Sequence, residues 1–111
     1  MCYNIIGDNM IKGKTKSYNL KVCTKFKDRL IGNCFKKNIK EVLCFPKCNS
    51  IHTFFMRACI DVVMLDKNKQ VKYIYSNIKP WKIILSKKDI YYTLEFPANE
   101  NIYKIKDVLK F

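Results

Sequence analysis

The chain is poor in glycine, histidine, arginine and acidic residues, and these shortages narrow the functions it can perform. Only three of its 111 residues are glycine, so it contains no glycine-rich loop to cradle phosphate. Any catalytic pair of cysteine and histidine must use the one histidine, His52. No apolar run approaches the roughly 20 residues that a membrane-spanning helix needs. No nucleophile with a positioned base stands out, and we expect no catalytic residues and no cofactor.

The chain has 22 basic and nine acidic side chains, so its net charge is +13 at pH 7. Such a charge favours nucleic acid, because binding releases the counterions condensed on phosphate. Only Arg29 and Arg57 are arginine, however, and arginine is the better bidentate ligand for phosphate and guanine. The lysines are also spread along the whole chain. We expect weak, salt-sensitive attraction to polyanions, with nucleic-acid binding as an alternative that we do not favour.

The chain start and the cysteines bear on compartment and metal binding. Residues 1–14 show no basic segment followed by an apolar one, as a secretory signal would, so we expect a cytoplasmic protein whose six cysteines are mainly free thiols. Cys44, Cys48 and His52 follow one another at intervals of four residues. On an extended strand such neighbours lie about 13 Å apart, too far to share one ion. Only a tight loop around Pro46 could gather them, and we expect no structural metal.

The hydrophobic pattern predicts strands over most of the chain. The predicted strands are YNLKVC, EVLCF, SIHTFFM, IDVVMLD, QVKYIYS and IYYTLEF, with a turn at residues 7–9 and a last strand near residues 107–111. Between two of these runs, residues 66–70 indicate a hairpin, with Asn68 the candidate for positive φ. Many short strands with closely spaced turns are typical of a mainly β sandwich or barrel. We expect its strands to be mostly antiparallel.

One segment departs from the strand pattern. In residues 24–35 the spacing of Phe26, Leu30, Ile31 and Cys34 predicts a short helix, which Thr24 can cap. A chain of 111 residues fits one domain, so we expect a single domain over residues 1–111.

Four motifs follow one another along the chain: CNSIHTFFMR, IDVVMLD, the IKPWK of residues 78–82 and the TLEFPA of residues 93–98. Together they are similar to the DUF192 family, also called UPF0127, of bacterial and archaeal proteins. The earlier DRLIGN resembles the helix of that family, in which an arginine precedes a glycine by three residues, as Arg29 precedes Gly32. The resemblance runs from about Tyr18 to the C-terminus. It implies a jelly-roll-like β fold and a bacterial source, but no reaction.

The chain also departs from the family pattern. Members similar to this one read HTFGMRFPIDVVFLD, and Phe55 stands where they have the glycine. Ala58 and Cys59 replace a phenylalanine and a proline, and Lys106 with Asp107 stands where a Gly-Asp turn is usual. The added bulk at Phe55 and the lost bulk at Ala58 would reshape any pocket that these positions line.

Residues 52–61 gather the chemically most interesting side chains. Alternation along SIHTFFM places His52, Phe54 and Met56 on one strand face, and we expect His52 to be a hydrogen-bonded core or pocket-wall residue. Asp61 lies on an apolar strand, where a carboxylate needs a donor. We predict that Arg57 pairs with it and holds the bend between two strands; the alternative makes both residues the polar end of a cleft.

Trp81 completes the candidate site. It follows Pro80, and we predict that it lies against the sheet beside the His52 strand and not in solvent. The candidate binding residues are His52, Phe54, Met56, Arg57, Asp61 and Trp81. The favoured function is a non-enzymatic binding or accessory module for a small molecule, glycan or peptide. The alternatives are an enzyme that uses His52, Arg57 and Asp61 or a cysteine, and a weak polyanion binder through the lysine-rich surface.

Overall fold

The apolar runs become strands in the computed structural model, which describes residues 10–24, 34 and 36–111. The predicted turn at residues 7–9 lies outside the described residues, and so does nearly all of the helix predicted over residues 24–35, including Arg29 and Gly32. The strands are β1 (Met10–Lys12), β2 (Ser17–Val22), β3 (Val42–Pro46), β4 (Ile51–His52), β5 (Ile60–Leu65), β6 (Val71–Ile78), β7 (Ile83–Ile84) and β8 (Tyr92–Pro97).

Six of these strands form one sheet in the order β1-β2-β3-β8-β5-β6, and β4 and β7 form a second, smaller sheet. Strands β2 and β3 run parallel, and all other neighbours run antiparallel. The mainly β fold with mostly antiparallel strands is therefore confirmed. The large sheet is open, with β1 and β6 at its two edges, and is not closed into a barrel.

No helix occurs in the described ranges, and hence none that is long and apolar enough to cross a membrane.

Strand β5 is the centre of the fold because its sequence, IDVVML, is buried on both faces. It pairs with β6 on one side and with β8 on the other. Successive side chains of a strand point to opposite faces, so Val63 and Leu65 face one core while Val62 and Met64 face another. Each such side chain contributes about 1.5–3 kcal/mol when it is fully buried.

The first core lies on one face of the large sheet and includes Val63, Leu65, Leu94 and Phe96. The C-terminal segment covers it with Leu109 and with the partly buried Phe111, whose ring lies 4.1 Å below the ammonium group of Lys69. The predicted strand over residues 107–111 is wrong in extent, because only one isolated bridge, between Gln70 and Val108, forms there. The segment is held by side-chain packing and by separate backbone bonds, from the Val71 N–H to the Asp107 carbonyl and from the Leu109 N–H to the Lys69 carbonyl, without a continuous strand ladder.

The second core lies on the opposite face and consists of Met56, Ile60, Val62, Met64 and Ile84. The small sheet covers it, with Ile51 and Ile84 opposite each other and packed toward the core. Because side chains alternate along a strand, His52 and its partner Ile83 face away from the protein. The small sheet therefore has a buried inner face and an exposed outer one.

The carboxylate of Glu100 links the hairpin of β1 and β2 to the loop after β8. Glu100 accepts hydrogen bonds from the backbone N–H and the hydroxyl of Thr15, each at 2.9 Å. The N–H of Thr15 stabilises the charged carboxylate and lowers the pKa of Glu100 from its ordinary value. Gly13 lets these groups approach, since a Cβ there would lie 2.7 Å from a ring carbon of Tyr18.

Several turns use the left-handed region of the backbone without glycine. In the hairpin between β5 and β6 the residue with positive φ is Lys69, at 64°, so the prediction for Asn68 is wrong. Phe55 and Lys106 have φ of 64° and 80°, and both stand where similar family members have glycine. For a residue with a Cβ this conformation costs roughly 1–2 kcal/mol, which explains the glycines of the family pattern.

Replacing Lys106 by glycine should therefore stabilise the protein. Its backbone N–H donates to the Val71 carbonyl at 2.9 Å, and a glycine keeps that bond while relieving the strain. We expect Lys106→Gly to raise the free energy of unfolding by about 1 kcal/mol in urea denaturation. The matched control is Lys104→Gly, at an exposed position without positive φ, which should lower it. Equal destabilisation by both variants would contradict the strain argument.

Candidate functional site

The buried hydroxyl of Thr53 joins the two loops that carry the candidate site. It donates to the carbonyl of Lys79 at 2.7 Å and accepts the backbone N–H of Lys82 at 2.8 Å. The Thr53 N–H donates to the Lys82 carbonyl at 2.8 Å, and the Thr53 carbonyl accepts the N–H groups of Met56 and Trp81. One small side chain with its own peptide groups thus fixes residues 53–56 against residues 79–82.

These bonds end β4 early. The predicted strand over SIHTFFM is confirmed only for Ile51–His52, because the chain turns after Thr53 and passes through Phe55 with φ of 64°. Met56 then points into the second core, whereas His52 is exposed. The prediction that these two residues share a strand face is wrong, since the alternation it assumed stops at the turn.

The two loops bring four rings together, His52, Phe54, Phe55 and Trp81, which we call the aromatic patch. The rings of His52 and Phe54 are 4.9 Å apart, those of Phe54 and Trp81 5.8 Å, and those of Phe55 and Trp81 4.9 Å. Such separations are typical of favourable aromatic contacts. The structure thus brings together three predicted site residues and adds Phe55.

Trp81 lies at the surface, so the prediction that it is shielded from solvent is wrong. Its side chain is 61% exposed, and that of Phe55 is 53% exposed. The reason is local: Trp81 has φ of 66°, and its N–H donates inward to the Thr53 carbonyl at 2.9 Å. The turn directs the backbone toward the protein and the indole outward, where it packs on the two phenylalanine rings.

His52 is held by its neighbours along the chain. Its Nδ1 accepts the backbone N–H of Phe54 at 3.3 Å, so it is hydrogen-bonded as predicted, but its side chain is exposed and not in a core. It lines a groove of about 190 Å³ over the small sheet, together with Ser50, Ile83 and Leu85 among others. The sequence predicted that His52 lies either in a core or in the wall of a pocket, and it lies in the wall of this groove.

Strand β7 extends the aromatic patch with aliphatic side chains. Ile84 is buried, but Ile83 and Leu85 on either side of it are 58% and 69% exposed. Ile83 lies opposite His52 in the ladder of the small sheet. We call the aromatic patch with Ile83 and Leu85 the outer face. Contiguous exposed apolar surface of this kind marks binding sites more often than scattered apolar residues do.

The predicted pair of Arg57 and Asp61 does not form. Asp61 is 2% exposed, and its two carboxylate oxygens accept the backbone N–H groups of Asn77 at 2.8 Å and Asn101 at 3.1 Å. Arg57 is exposed and makes no ion pair with it. The alternation of β5 directs Asp61 to the face of the first core, where a bulge in β6 and the loop after β8 each offer an amide.

The cysteines and His52 are placed apart. Cys44 is buried in the first core, and burial raises the pKa of its thiol to about 12. Cys48 packs on the other side of β3, against Cys23, Leu43 and Phe45, and its thiol donates to the Ser50 carbonyl at 3.1 Å. The five described cysteines are thiols and not disulfides. Within the part of the chain that the structure describes, no three side chains of His, Cys, Asp or Glu gather to hold a metal ion.

Sequence reasoning missed three residues of this region, Thr53, Ile83 and Leu85, and noted Phe55 as a departure from the family pattern without including it among the site residues. The alternation of Trp81, Ile83 and Leu85 along WKIIL was a usable signal for an exposed stripe. Thr53 gave no signal, because the partners of its hydroxyl lie more than 25 positions away in the chain.

The fold is similar to that of two proteins of known structure. It is similar to a protein of unknown function from Novosphingobium aromaticivorans DSM 12444, with a TM-score of 0.61, 14% identity, and coverage of 80% of this chain and 71% of that one. It is also similar to a presumed transcription regulator from Sinorhizobium meliloti 1021, with a TM-score of 0.64, 16% identity, and coverage of 80% and 77%. At such identities the likeness shows the fold alone.

Sequence comparison identifies the family. Residues 8–106 match DUF192, described as Uncharacterized ACR, COG1430. The chain is 34% identical over 95 residues to UPF0127 protein PF1050 of Pyrococcus furiosus, which covers 80% of each protein. It is 34% identical over 96 residues to UPF0127 protein TK1120 of Thermococcus kodakarensis, which covers 81% of this chain and 60% of that protein. The chain belongs to the DUF192 family, as its motifs indicated; these relatives are archaeal and do not support the expected bacterial source.

Removing Asp61 and removing Arg57 should have unequal effects. Asp61→Ala removes the buried acceptor of two partly buried backbone N–H groups and should cost about 2 kcal/mol of unfolding free energy, whereas Arg57→Ala should cost less than about 0.5 kcal/mol. The two effects should add in the double variant, because the side chains do not interact. Similar losses of stability in both single variants, with a loss in the double variant smaller than their sum, would show that Arg57 and Asp61 do form an ion pair.

The Thr53 hydroxyl should stabilise the paired loops. Thr53→Val keeps the shape but removes the acceptor for Lys82 and the donor for Lys79, and should cost about 2 kcal/mol in thermal or urea unfolding. Thr53→Ser keeps the hydroxyl, loses one methyl group and should cost less than the valine variant. A valine variant as stable as the wild type would show that the hydroxyl does not hold the loops.

Proposed function

We propose that this domain is a non-enzymatic binding module that takes an apolar peptide segment of a partner protein on its outer face. The observation that carries the proposal is the exposure of Phe55, Trp81, Ile83 and Leu85, each more than half open to solvent, on one continuous side of the small sheet. Burying these side chains against a partner gains roughly 25 cal/mol for each Å² of apolar surface removed from water.

Preorganisation supports the proposal. The rings of the aromatic patch contact one another, and the loops that carry them are held by the buried Thr53 hydroxyl. A surface whose side chains are already ordered loses less conformational entropy on binding. Tryptophan is also the residue type most enriched at the energetic centres of protein interfaces, which makes Trp81 the expected anchor.

The shape of the site favours a peptide over a small molecule or a glycan. The groove beside His52 holds about 190 Å³, below the range of about 300–1,000 Å³ that is usual for small-molecule sites. A larger cavity of about 330 Å³ lies elsewhere, lined by residues 66–68 and 89–91. Ile83 and Leu85 offer no hydrogen bonds to sugar hydroxyls, whereas apolar side chains of a peptide would bury them.

The geometry does not support the enzyme alternative. The imidazole of His52 contacts the ring of Phe54 and accepts its backbone N–H. Asp61 lies on the first-core face of β5, where it accepts two backbone N–H groups, and Arg57 points into solvent. The three residues of the catalytic hypothesis therefore occupy three different environments.

Single-stranded nucleic acid is the second candidate ligand for the same face. Arg57, Lys79 and Lys82 are exposed beside the aromatic rings, and bases stack on aromatic side chains while lysines contact phosphates. Ile83 and Leu85 favour the peptide, because aliphatic side chains contribute little to base stacking. An oligonucleotide arm in the binding experiment separates the two.

Truncating Trp81 should weaken binding without unfolding the protein. In amide NMR titrations with an acetylated heptapeptide of alternating apolar and polar residues, we expect shifts confined to residues 50–57 and 79–86. Trp81→Ala should lower the affinity at least about tenfold. Ile105→Ala, at a side chain 51% exposed and outside the outer face, is the matched control and should bind like the wild type.

Three results would count against this function. Chemical-shift changes outside the two loops would place the site elsewhere. The absence of any change at millimolar peptide would show that the protein does not bind the peptide. Oligothymidine that perturbs residues 50–57 and 79–86 more strongly than the peptide would select the second candidate. A parallel measurement of unfolding of both variants confirms that any loss of binding is not a loss of fold.

A further inference from the structure

The outer edge of β7 is open in the described part of the chain. The small sheet contains only β4 and β7, so β7 has no strand partner on its other side among the described residues. The N–H of Thr53 donates to the Lys82 carbonyl at 2.8 Å, which makes these two residues a hydrogen-bonded pair of the ladder. Such pairs alternate with non-hydrogen-bonded ones in an antiparallel ladder. Ile83, opposite His52, is therefore a non-hydrogen-bonded position.

The backbone N–H and C=O of Ile83 consequently point away from β4, toward the open edge. In the described part of the chain no hydrogen bond to either group occurs on that side. Leu85, the next residue of the same parity, has a side chain 69% exposed. An extended peptide can pair with such an edge by main-chain hydrogen bonds while its alternate side chains contact the adjoining surface.

The positive charge near this edge favours an acidic partner. The segments that form the small sheet and its flanks, residues 49–60 and 79–88, contain no aspartate or glutamate, and of the acidic residues that follow them directly Asp61 is buried and Asp89 is exposed. Lys79, Lys82 and Lys88 are exposed in the second of these segments, and Arg57 is exposed in the first. A strand that carries carboxylates is attracted to this surface, and a basic strand is repelled.

We infer that the occupant of the outer face is an acidic, extended peptide segment that joins the small sheet as a third strand along β7. This inference rests on the proposed function and names the chemistry of its partner. A second copy of the chain is a poor occupant, because each copy carries a net charge of +13. Lysines at a strand edge discourage pairing with like-charged chains, but they do not oppose an acidic one.

The pleat of the sheet sets the pattern of the added strand. Its side chains alternate between two faces, as those of β7 do. The apolar residues of the peptide would lie beside Ile83 and Leu85 on the outer face. The alternate residues would lie on the face that Lys82 shares with Ile84; Ile84 is buried in the second core, whereas Lys82 is exposed and can contact carboxylates. The best ligand therefore alternates apolar and acidic residues.

The test uses an acetylated, amidated heptapeptide with glutamate at its odd positions and valine, phenylalanine and valine at its even ones. We expect it to bind the full chain in isothermal titration or NMR. The same peptide with lysine for glutamate should bind at least tenfold more weakly. N-methylation of the amides of alternate residues gives two isomers, and only one of them removes the N–H groups that face β7. We expect one isomer to lose binding at least tenfold and the other to keep it.

Protein variants test the same edge from the other side. Ile83→Pro removes the outward N–H but none of the bonds to β4, so the fold should survive and peptide affinity should fall at least tenfold. Ile83→Ala keeps that N–H and should lose less affinity than the proline variant. If Ile83→Pro does not fold, the two N-methylated peptides still test strand addition on the wild-type protein.

The outcomes separate this inference from the proposed function. Equal binding of the two N-methylated isomers, with shifts still at the outer face, would overturn strand addition and leave the binding module intact. Equal binding of the glutamate and lysine peptides would overturn the requirement for acidic residues. An outer face that responds to neither peptide would overturn both proposals.

Discussion

The arrangement of the candidate site depends on the buried hydroxyl of Thr53. An unsatisfied polar group in such a place would cost several kcal/mol, but this hydroxyl has a carbonyl partner in Lys79 and an N–H partner in Lys82. Because residues 53–56 must turn to make these bonds, Met56 is directed into the second core and the rings beside it are directed outward. The exposed aromatic patch follows from a buried interaction.

The large sheet supplies the platform for this arrangement. Strand β5 is apolar on both faces and therefore needs cover on both. The C-terminal segment covers one face, and the small sheet covers the other with Ile51 and Ile84. Two short strands provide that cover, which leaves their outer face exposed and, among the described residues, the second edge of β7 unpaired. The core thus explains why an apolar surface is held at the outside.

The sequence predicted the long strands well and the site less well. Continuous or alternating apolar runs identified β2, β3, β5, β6 and β8 because strand side chains alternate between faces. The short β4 and the outward turn at Trp81 escaped prediction because the bonds of Thr53 link distant parts of the chain. Asp61 was correctly expected to need donors, yet backbone amides supply them and not Arg57. The family pattern singled out Phe55, and its positive φ explains why glycine is usual there.

Amide hydrogen exchange along residues 81–84 tests the central claim most directly, namely that Thr53 holds an edge that is ordered but open. The N–H groups of Trp81 and Lys82 donate to Thr53, and that of Ile84 lies in the ladder with Ile51, so these three should exchange slowly. The N–H of Ile83 points to the open edge and should exchange fast. Fast exchange at Lys82, or protection of Ile83 equal to that of Ile84, would contradict the account.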